Sequence, residues 1–435
     1  MFDKILIANR GEIAVRIIRA CKEMGVKSTA VYSEADKDSL HTLLADESIC
    51  IGPAIAKESY LDPEKIISAA LVTKAAAIHP GYGFLSENAE FASLCEKNGI
   101  AFIGPPAELM RTMSDKAENK KRMAAAGLPV IPGTETLKDV EEALESADRF
   151  GYPVMLKASA GGGGRGIRVI NSVEELKKAF PLAEAEAKSA FGDGALYIEK
   201  YVYPARHIEV QILADESGNV SFLGERDCSV QRRHQKLIEE SPSPGVNEAQ
   251  RKIISKLCKG AVKSIGYTGV GTMEFLLDKE GKFWFMEMNM RLQVEHGVTE
   301  MLTSTDLVKW QIRTAAGIDI SRLKRKEEFL GSCIECRINA LSPGKVSVLH
   351  VPGGPFVRFD TWLLQDSVVT PYYDSLIGKL IVYAGTREEA VRKLKAALCE
   401  TVIEGVETNI EEQLSLISED DFESGNYDLT FMEGR

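Results

Sequence analysis

The sequence has 435 residues, of which 44% are hydrophobic and 27% charged, so we expect a globular protein of two to three domains. Its net charge of −11 argues against a nucleic-acid-binding protein, which would present a basic surface. No apolar run approaches the roughly 20 residues of a membrane span. The eight cysteines are scattered, and Cys333 and Cys336 form a lone CxxC without a second pair, which predicts reduced thiols in a cytoplasmic protein.

Residues 1–105 are predicted to alternate strands and helices. Buried strands are predicted over residues 4–8, 28–32, 75–79 and 100–103. Between the first two, apolar residues recur at helical spacing up to Gly25, which predicts a helix. This order is typical of βαβ units with a parallel sheet. The first turn lacks the G-x-G-x-x-G fingerprint, so we expect no NAD site.

The segment His79-Pro-Gly-Tyr-Gly-Phe84 follows a predicted strand at its C-terminal end, where open α/β sheets bind ligands. Its proline and glycines impose a turn that holds out the rings of Tyr82 and Phe84. Ligand binding and simple packing explain these rings equally well. Arg16 and Arg19 flank the first helical stripe, which suits a solvated face as well as a dimer contact.

A glycine-rich loop separates two predicted strands, at residues 152–157 and 167–170. The first strand ends in Lys157, and the loop contains four consecutive glycines. Such flexibility is unfavourable unless the backbone must approach a ligand closely. A flexible linker is the alternative, but linkers do not join two strands so tightly. The exposed N–H groups of this loop are predicted to hold an anion.

Two later strands carry acids among apolar residues. Glu274 lies in the predicted strand 271–277, which a turn at residues 278–281 joins to a second strand starting near Phe283. From Glu287 onward polar and apolar residues alternate, so one face is polar. A half-buried strand with a solvated face is the ordinary explanation. This face instead holds carboxylates, amides and a guanidinium, which favours a function.

The turn predicts which residues of these two strands face each other. Pairing Leu277 with Lys282 places Glu274 opposite Phe285 and diagonal to Glu287. Together with the amide of Asn289, these two acids would supply the oxygen ligands that Mg²⁺ prefers. A further stretch, residues 225–236, is basic and rich in amides. A nucleic-acid patch is conceivable there, but a small anion near the acids is the better prediction in an acidic protein.

Four motifs in this order resemble the biotin carboxylase family of the ATP-grasp superfamily. They are His79-Pro-Gly-Tyr-Gly-Phe-Leu-Ser-Glu-Asn88, Lys157-Ala-Ser-Ala-Gly-Gly-Gly-Gly-Arg-Gly166, Glu225-Arg-Asp-Cys-Ser together with Arg232-Arg-His-Gln-Lys236, and Glu287-Met-Asn-Met-Arg-Leu-Gln-Val-Glu-His296. The resemblance covers essentially the whole chain.

It implies an α/β protein with an ATP-grasp fold. An N-terminal Rossmann-like domain would span residues 1–113, the ATP-grasp region 114–330, with a mobile lid at about 130–202, and a C-terminal α+β domain 331–435.

The implied activity is the carboxylation of biotin by bicarbonate, with ATP and two Mg²⁺ or Mn²⁺ ions. The resemblance implies an ATP site made by Lys116, Lys157, Gly163, Gly164, Glu199, Lys200, Tyr201, Val202, His207, Gln231, His234, Leu276, Glu274 and Glu287. The metal would be held by Glu274, Glu287 and Asn289. Bicarbonate would be held by Lys236, Arg291, Gln293, Val294 and Glu295, with Glu295 as general base. Biotin would contact Tyr82, Phe84 and Arg337, and the catalytic set would be Arg291, Glu295, Lys236 and Arg337.

The family also implies partners. Biotin would arrive on a biotin carboxyl carrier protein, carboxyltransferase subunits would use the product, and the chain would form a homodimer. It resembles a stand-alone subunit of an acyl-CoA carboxylase, such as acetyl-CoA carboxylase, which feeds malonyl-CoA into fatty acid synthesis. It contains no Met-Lys-Met biotinylation motif, so biotin is expected as a substrate that is not attached to this chain.

Two departures from the family pattern bear on the site. Gly297 stands where proline is usual, so the segment carrying Glu295 is expected to be looser. A segment usual between Ala340 and Ser342 is absent, close to Arg337. Two rival functions remain: another ATP-grasp ligase that joins a carboxylate to an amine, and a catalytically silent nucleotide-binding paralogue.

Overall fold

The structure is a computed structural model that describes residues 1–114, 116–159, 166–233, 235–323 and 329–435. Of residues 114, 116, 117 and 191 it describes the backbone alone.

The N-terminal region forms a five-stranded parallel sheet flanked by helices. Its elements are β1 (Lys4–Ile7), α1 (Gly11–Glu23), β2 (Lys27–Tyr32), α2 (Leu40–Leu44), β3 (Glu47–Cys50), α3 (Pro63–Thr73), β4 (Ala77–His79), α4 (Ala89–Lys97) and β5 (Ala101–Phe102). The strand order is β3-β2-β1-β4-β5. The predicted strands and first helix are confirmed, whereas β3 was not predicted. Arg16 is not on a solvated face, because its guanidinium lies 2.8 Å from Glu300 and 2.7 Å from Asp306.

A small unit with its own core follows. It is preceded by α5 (Ala107–Ser114) and α6 (Lys116–Ala125) and consists of α7 (Val140–Phe150), β6 (Val154–Ala158), β7 (Ile167–Ile170), α8 (Val173–Phe191) and β8 (Leu196–Lys200). Its antiparallel sheet has the order β7-β6-β8. Val154, Leu156 and Ile198 are buried against the two helices in a separate hydrophobic cluster. Ser172 caps α8 by accepting a hydrogen bond from the Glu175 N–H.

The rest of the chain is built on one large antiparallel sheet. Its strands and the helices packed on them are β9 (Ala205–Ala214), β10 (Val220–Arg232), β11 (Gln235–Ser241), α9 (Glu248–Ser264), β12 (Gly269–Asp278), β13 (Phe283–Asn289), α10 (His296–Thr303), α11 (Leu307–Ala315), β14 (Ser332–Asn339), β17 (Val357–Thr361), β19 (Leu376–Ala384) and α12 (Arg387–Glu400). The strand order is β13-β12-β9-β10-β11-β14-β19-β17. Strands β9 to β13 and strands β14, β17 and β19 therefore share one sheet, joined where β11 pairs with β14.

Short elements complete the C-terminal region. They are β15 (Gly344–Lys345), β16 (Val348–His350), β18 (Val368–Val369), β20 (Val402–Glu404), α13 (Ile410–Leu416) and α14 (Asp420–Ser424). Helices α12, α13 and α14 make the end of the chain rich in helix. None of the helices within the described ranges is long and apolar enough to cross a membrane.

Candidate active site

The site lies where β9, β12 and β13 place three acids side by side. Glu274 of β12 pairs with Glu209 of β9 on one side and with Glu287 of β13 on the other. Cross-strand partners project from the same face of a sheet, so the three carboxylates form a row. Glu209 and Glu274 are buried, and Glu287 is half-buried.

The register predicted for the β12–β13 hairpin is wrong. Leu277 pairs with Phe283 instead of Lys282, and the register shifts between Glu274 and Phe275. Two residues of β13 oppose one of β12 at this bulge, so Met286 leaves the apolar face and is 39% exposed. The bulge brings Glu287 directly opposite Glu274, where a diagonal arrangement was predicted.

Residues 290–295, named loop 290–295 from here on, follow the end of β13 without strand pairing. The guanidinium of Arg291 donates to Glu87 at 2.8 Å, to Gln293 at 2.9 Å and to Asn289 at 3.0 Å. Glu87 also accepts from the Met290 N–H at 2.9 Å. The His79–Asn88 turn of the N-terminal region therefore holds this loop, although 203 residues separate Glu87 from Met290.

Glu295 is fully buried between two cations. One carboxylate oxygen lies 2.8 Å from Lys236 Nζ, and the other accepts from the Arg337 guanidinium at 3.0 Å. Burial alone would raise the pKa of Glu295, but the charges of Lys236 and Arg337 outweigh it and hold that pKa well below its usual range. Lys236 also contacts Glu209, and Arg337 Nε donates to the buried Glu239 at 2.6 Å. Glu295 is therefore an ionised, desolvated carboxylate.

Glu274 is surrounded by donors. It accepts hydrogen bonds from Asn289 at 2.7 Å and Gln293 at 3.0 Å, and its second oxygen lies 3.1 Å from His207 Nε2. Burial would raise the pKa of Glu274, but Lys236 and His207 lower it far more, so the carboxylate stays ionised. Two acids on paired strands, Glu274 and Glu287, with the amide of Asn289 beside them, fit the hard oxygen donor set of Mg²⁺.

The small three-stranded unit reaches the site through Glu199. Its carboxylate lies 2.7 Å from Lys120 and 2.5 Å from Lys157, so it holds two lysine ammonium groups together. Lys120 was not predicted, although it lies one helical turn after Lys116 on α6. The side chain of Lys116, the loop residues Gly163 and Gly164, and His234 lie outside the described residues.

An apolar patch lies next to these polar groups. Ile131, Val202 and Trp284 form a small buried cluster on which Leu276 packs. Tyr201 follows Lys200 at the end of β8, and its ring stacks on Tyr203 with centroids 5.0 Å apart. The side-chain amide of Gln231 donates a hydrogen bond to Nδ1 of His207 at 3.0 Å. A flat apolar ring system could pack here beside polar groups.

The two aromatic residues of the His79–Asn88 turn differ in their surroundings. The Tyr82 hydroxyl donates to Glu12 of α1, whereas Phe84 stacks on Tyr60 with ring centroids 5.1 Å apart. Asn9 donates to the carbonyl groups of Pro80 and Tyr82, both at 2.7 Å, which fixes the turn. Tyr82 is thus held by a hydrogen bond and Phe84 by ring stacking.

Comparison with known proteins shows the family of this chain. Residues 1–110 match the family model for the biotin carboxylase N-terminal domain, 115–323 the ATP-binding domain of the carbamoyl-phosphate synthase L chain, and 335–434 the biotin carboxylase C-terminal domain. A biotin carboxylase of Haemophilus influenzae is 51% identical over 442 residues, covering 100% of this chain and 98% of that protein. The chain belongs to the biotin carboxylase family.

Solved biotin carboxylases have the same fold. The structure from Campylobacter jejuni, a βγ-ATP complex, is 50% identical with a TM-score of 0.95 and covers 99% of this chain and 98% of its own. The biotin carboxylase domain of Hydrogenobacter thermophilus 2-oxoglutarate carboxylase is 48% identical with a TM-score of 0.91, covering 100% and 97%. It was solved as a dimer with MgADP, ADP and bicarbonate. The predicted ATP-grasp fold is thereby confirmed.

The two departures from the biotin carboxylase pattern leave Glu295 in contact with Lys236 and Arg337. Gly297 lies in the first turn of α10, where an added side chain would collide with Ile381. Directly after β14, the Ala340 N–H donates to the Ser375 carbonyl at 2.8 Å and the Leu341 N–H to the Glu407 carbonyl at 2.7 Å. These two backbone hydrogen bonds fix the chain where the family segment is missing. Arg337 stays within the paired part of β14.

Proposed function

We propose that this chain carboxylates biotin with bicarbonate and ATP, and that biotin arrives on a biotin carboxyl carrier protein. The observation that carries this proposal is the position of Glu295 between Lys236 and Arg337, beside the row of Glu209, Glu274 and Glu287. A base for bicarbonate, cations for its charge and acids for a metal thus occur within one site.

ATP would bind between the three-stranded unit and the large sheet. We assign the phosphates to Lys116, Lys157 and the loop at Gly163 and Gly164. The rest of the nucleotide is assigned to Glu199, Lys200, Tyr201, Val202, His207, Gln231, His234 and Leu276. The apolar cluster around Val202 and Trp284 supports a place for the base. The nucleotide complexes of the two related structures support nucleotide binding by this chain.

Glu274, Glu287 and Asn289 would hold one or two Mg²⁺ or Mn²⁺ ions. When bound, the metal neutralises charge on the phosphoryl oxygens during phosphoryl transfer. Asn289 now donates its amide N–H to Glu274 and accepts from Arg291. Its amide would therefore have to turn for its oxygen to face an ion.

Bicarbonate would bind to Lys236, Arg291, Gln293 and the Val294 backbone. An anion that draws Lys236 and Arg337 away from Glu295 removes the charges that depress the pKa of that carboxylate, so Glu295 becomes a stronger base. It then takes the hydroxyl proton of bicarbonate. The resulting carbonate oxygen attacks the γ-phosphorus of ATP, the bond to the ADP oxygen breaks, and carboxyphosphate and ADP form.

Biotin would lie against Tyr82 and Phe84. After carboxyphosphate breaks down to CO₂ and phosphate, phosphate takes the N1′ proton of biotin and Arg337 stabilises the enolate. The new N–C bond forms to CO₂. Arg337 suits this role because a guanidinium stays charged even when buried.

The partners and location belong to the same proposal. Carboxyltransferase subunits would use the carboxybiotin, in an acetyl-CoA or other acyl-CoA carboxylase. The dimer seen for the Hydrogenobacter thermophilus domain supports a homodimer here. The eight free thiols support work in a reducing compartment such as the cytoplasm. We likewise propose the domain limits 1–113, 114–330 with a lid at about 130–202, and 331–435.

The test is ATP hydrolysis by the full chain with Mg²⁺ and bicarbonate, with and without free biotin. We expect hydrolysis that requires bicarbonate and rises when biotin is added. Hydrolysis that biotin does not stimulate would contradict the proposal, and stimulation by an amine would favour a carboxylate–amine ligase. Glu295→Ala is the matched control, because unchanged bicarbonate-dependent, biotin-stimulated activity in that variant would exclude the proposed base.

A further inference from the structure

A buried ion pair joins the N-terminal region to the last strands of the large sheet. Lys379 of β19 is 0% exposed, and its Nζ lies 3.1 Å from a carboxylate oxygen of Glu12 on α1, whose side chain is 2% exposed. Asp360 of β17 lies farther from the same ammonium, at 4.0 Å. Neither residue belongs to the four family motifs, and the proposed mechanism gives this pair no role.

Lys379 also holds loop 290–295. Its Nζ donates a hydrogen bond to the Val294 carbonyl at 2.7 Å. Val294 lies directly between Gln293 and Glu295, in a segment without helix or strand hydrogen bonds of its own. A side-chain donor from a distant strand therefore holds the backbone directly before Glu295.

Glu12 holds the turn with the proposed biotin contacts. The carboxylate oxygen that faces Lys379 also accepts the hydrogen bond from the Tyr82 hydroxyl. One carboxylate oxygen thus connects Tyr82, through Lys379, to the carbonyl of Val294. The connection spans the N-terminal region, loop 290–295 and the C-terminal strands.

Charge and register both place Lys379 at the site. Burial lowers the pKa of Lys379, because it disfavours the charged ammonium. The nearby carboxyl groups of Glu12, Glu335 and Asp360 have the larger combined effect, so the pKa is raised above its ordinary value. Lys379 is the direct cross-strand partner of Arg337, so the two cations project from the same face. A buried ion pair is often no more stabilising than an apolar pair of similar volume. A contribution to the stability of the fold therefore does not by itself explain why Glu12 and Lys379 are paired here.

We infer that Lys379 and Glu12 are a positioning pair that sets the place of loop 290–295 relative to Tyr82, and hence of the bicarbonate-side base relative to biotin. This inference rests on the proposed function. Neither residue touches a reacting atom in it. Small misplacements of catalytic groups cost up to about 100-fold in rate, so the pair would affect catalysis more than nucleotide binding.

The experiment compares two double variants of the full chain. Glu12→Gln/Lys379→Met removes the pair, and Glu240→Gln/Arg387→Met removes a comparable pair, with 2.7 Å between its charges, that joins β11 to α12. Because Glu240 neighbours Glu239 on β11, its side chain projects from the opposite face of the sheet. We expect kcat/KM for biotin to fall at least about tenfold in the first variant, with ADP affinity within about twofold. The control should keep kcat/KM for biotin within about twofold.

Several outcomes decide the inference. An equal loss in both double variants, or none in the first, would overturn it. If Glu12→Gln/Lys379→Met does not fold, the single variant Glu12→Gln replaces it in the test, because glutamine has the shape of glutamate without its charge. A KM for biotin raised at least about threefold would support the inference, and an unchanged KM would overturn it. A wild type without biotin stimulation would instead refute the proposed function.

Discussion

Lys236→Met is the substitution whose effect on stability follows most directly from the structure. The Lys236 ammonium group lies 2.8 Å from Glu295, 3.4 Å from Glu274 and in contact with Glu209. Buried acids outnumber buried bases around it. The cluster contains the acids Glu209, Glu239, Glu274 and Glu295 and the bases Lys236, Arg226 and Arg337. Removing Lys236 therefore leaves uncompensated negative charge away from water.

The expected cost is about 3–5 kcal/mol at neutral or higher pH, the usual range when one partner of a buried pair is removed. With an unfolding entropy of about 2.1 cal/mol/K per residue over 435 residues, this lowers the Tm by about 3–5 °C. Lys345→Met, which removes a lysine from an exposed pair 2.7 Å from Asp366, should shift the Tm by less than about 1 °C.

The cost also depends on pH. In the wild type the pKa values of Glu274 and Glu295 are depressed, so their contribution to stability is complete above the ordinary glutamate pKa and is lost only as the pH falls below it. Without Lys236, burial raises these pKa values, and the folded protein takes up a proton. Going from about pH 8 to about pH 5.5 then restores up to about 3.4 kcal/mol for one proton.

Scanning calorimetry at both pH values measures this difference. The gap between wild type and Lys236→Met should narrow at the lower pH, while the gap for Lys345→Met stays constant. A gap of equal size at both pH values would refute the assigned electrostatics, as would a variant as stable as the wild type.

Three further predictions concern activity. Glu295→Gln should lower biotin-stimulated ATP hydrolysis about 10²–10⁴-fold, with ADP binding by calorimetry nearly unchanged; a loss below tenfold would argue against a general base. Glu287→Gln should raise the half-saturating Mg²⁺ concentration about tenfold, and an unchanged Mg²⁺ titration would remove this residue from the metal site. Arg337→Lys keeps the positive charge but loses the forked guanidinium that donates to both Glu239 and Glu295. Biotin-stimulated turnover should therefore fall at least about tenfold while biotin-independent hydrolysis persists. Equal losses in both rates would contradict a role toward biotin.

Local patterns predict much of this fold. The parallel strands of the N-terminal region, the capped helix after Ser172 and the hairpin turn before Phe283 all follow from short-range periodicity and turn residues. Strand β3 escaped prediction because it is a four-residue edge strand, ESIC, that is mostly exposed and lacks an apolar run. The bulge at Met286 escaped it because alternation assumes a regular ladder.

The candidate site could be predicted only where its residues lie in recognisable motifs. Glu87 lies in one, yet nothing local indicates that it pairs with Arg291, which is 204 residues away. Glu239 and Lys379 look like ordinary strand residues, because their importance comes from what the fold packs beside them. Long-range pairing of charges depends on tertiary structure, which a single sequence does not specify position by position.

The continuity of the large sheet has a mechanical consequence. Since β11 and β14 share a backbone hydrogen-bond ladder, the backbones that carry Lys236 and Arg337 belong to one stiff sheet, so only their side chains can move without breaking several such bonds at once. The three-stranded unit has its own hydrophobic cluster and is hydrogen-bonded in a sheet of its own. We therefore expect a nucleotide that enters or leaves to tilt this unit as one body, while the backbone of the large sheet keeps its shape.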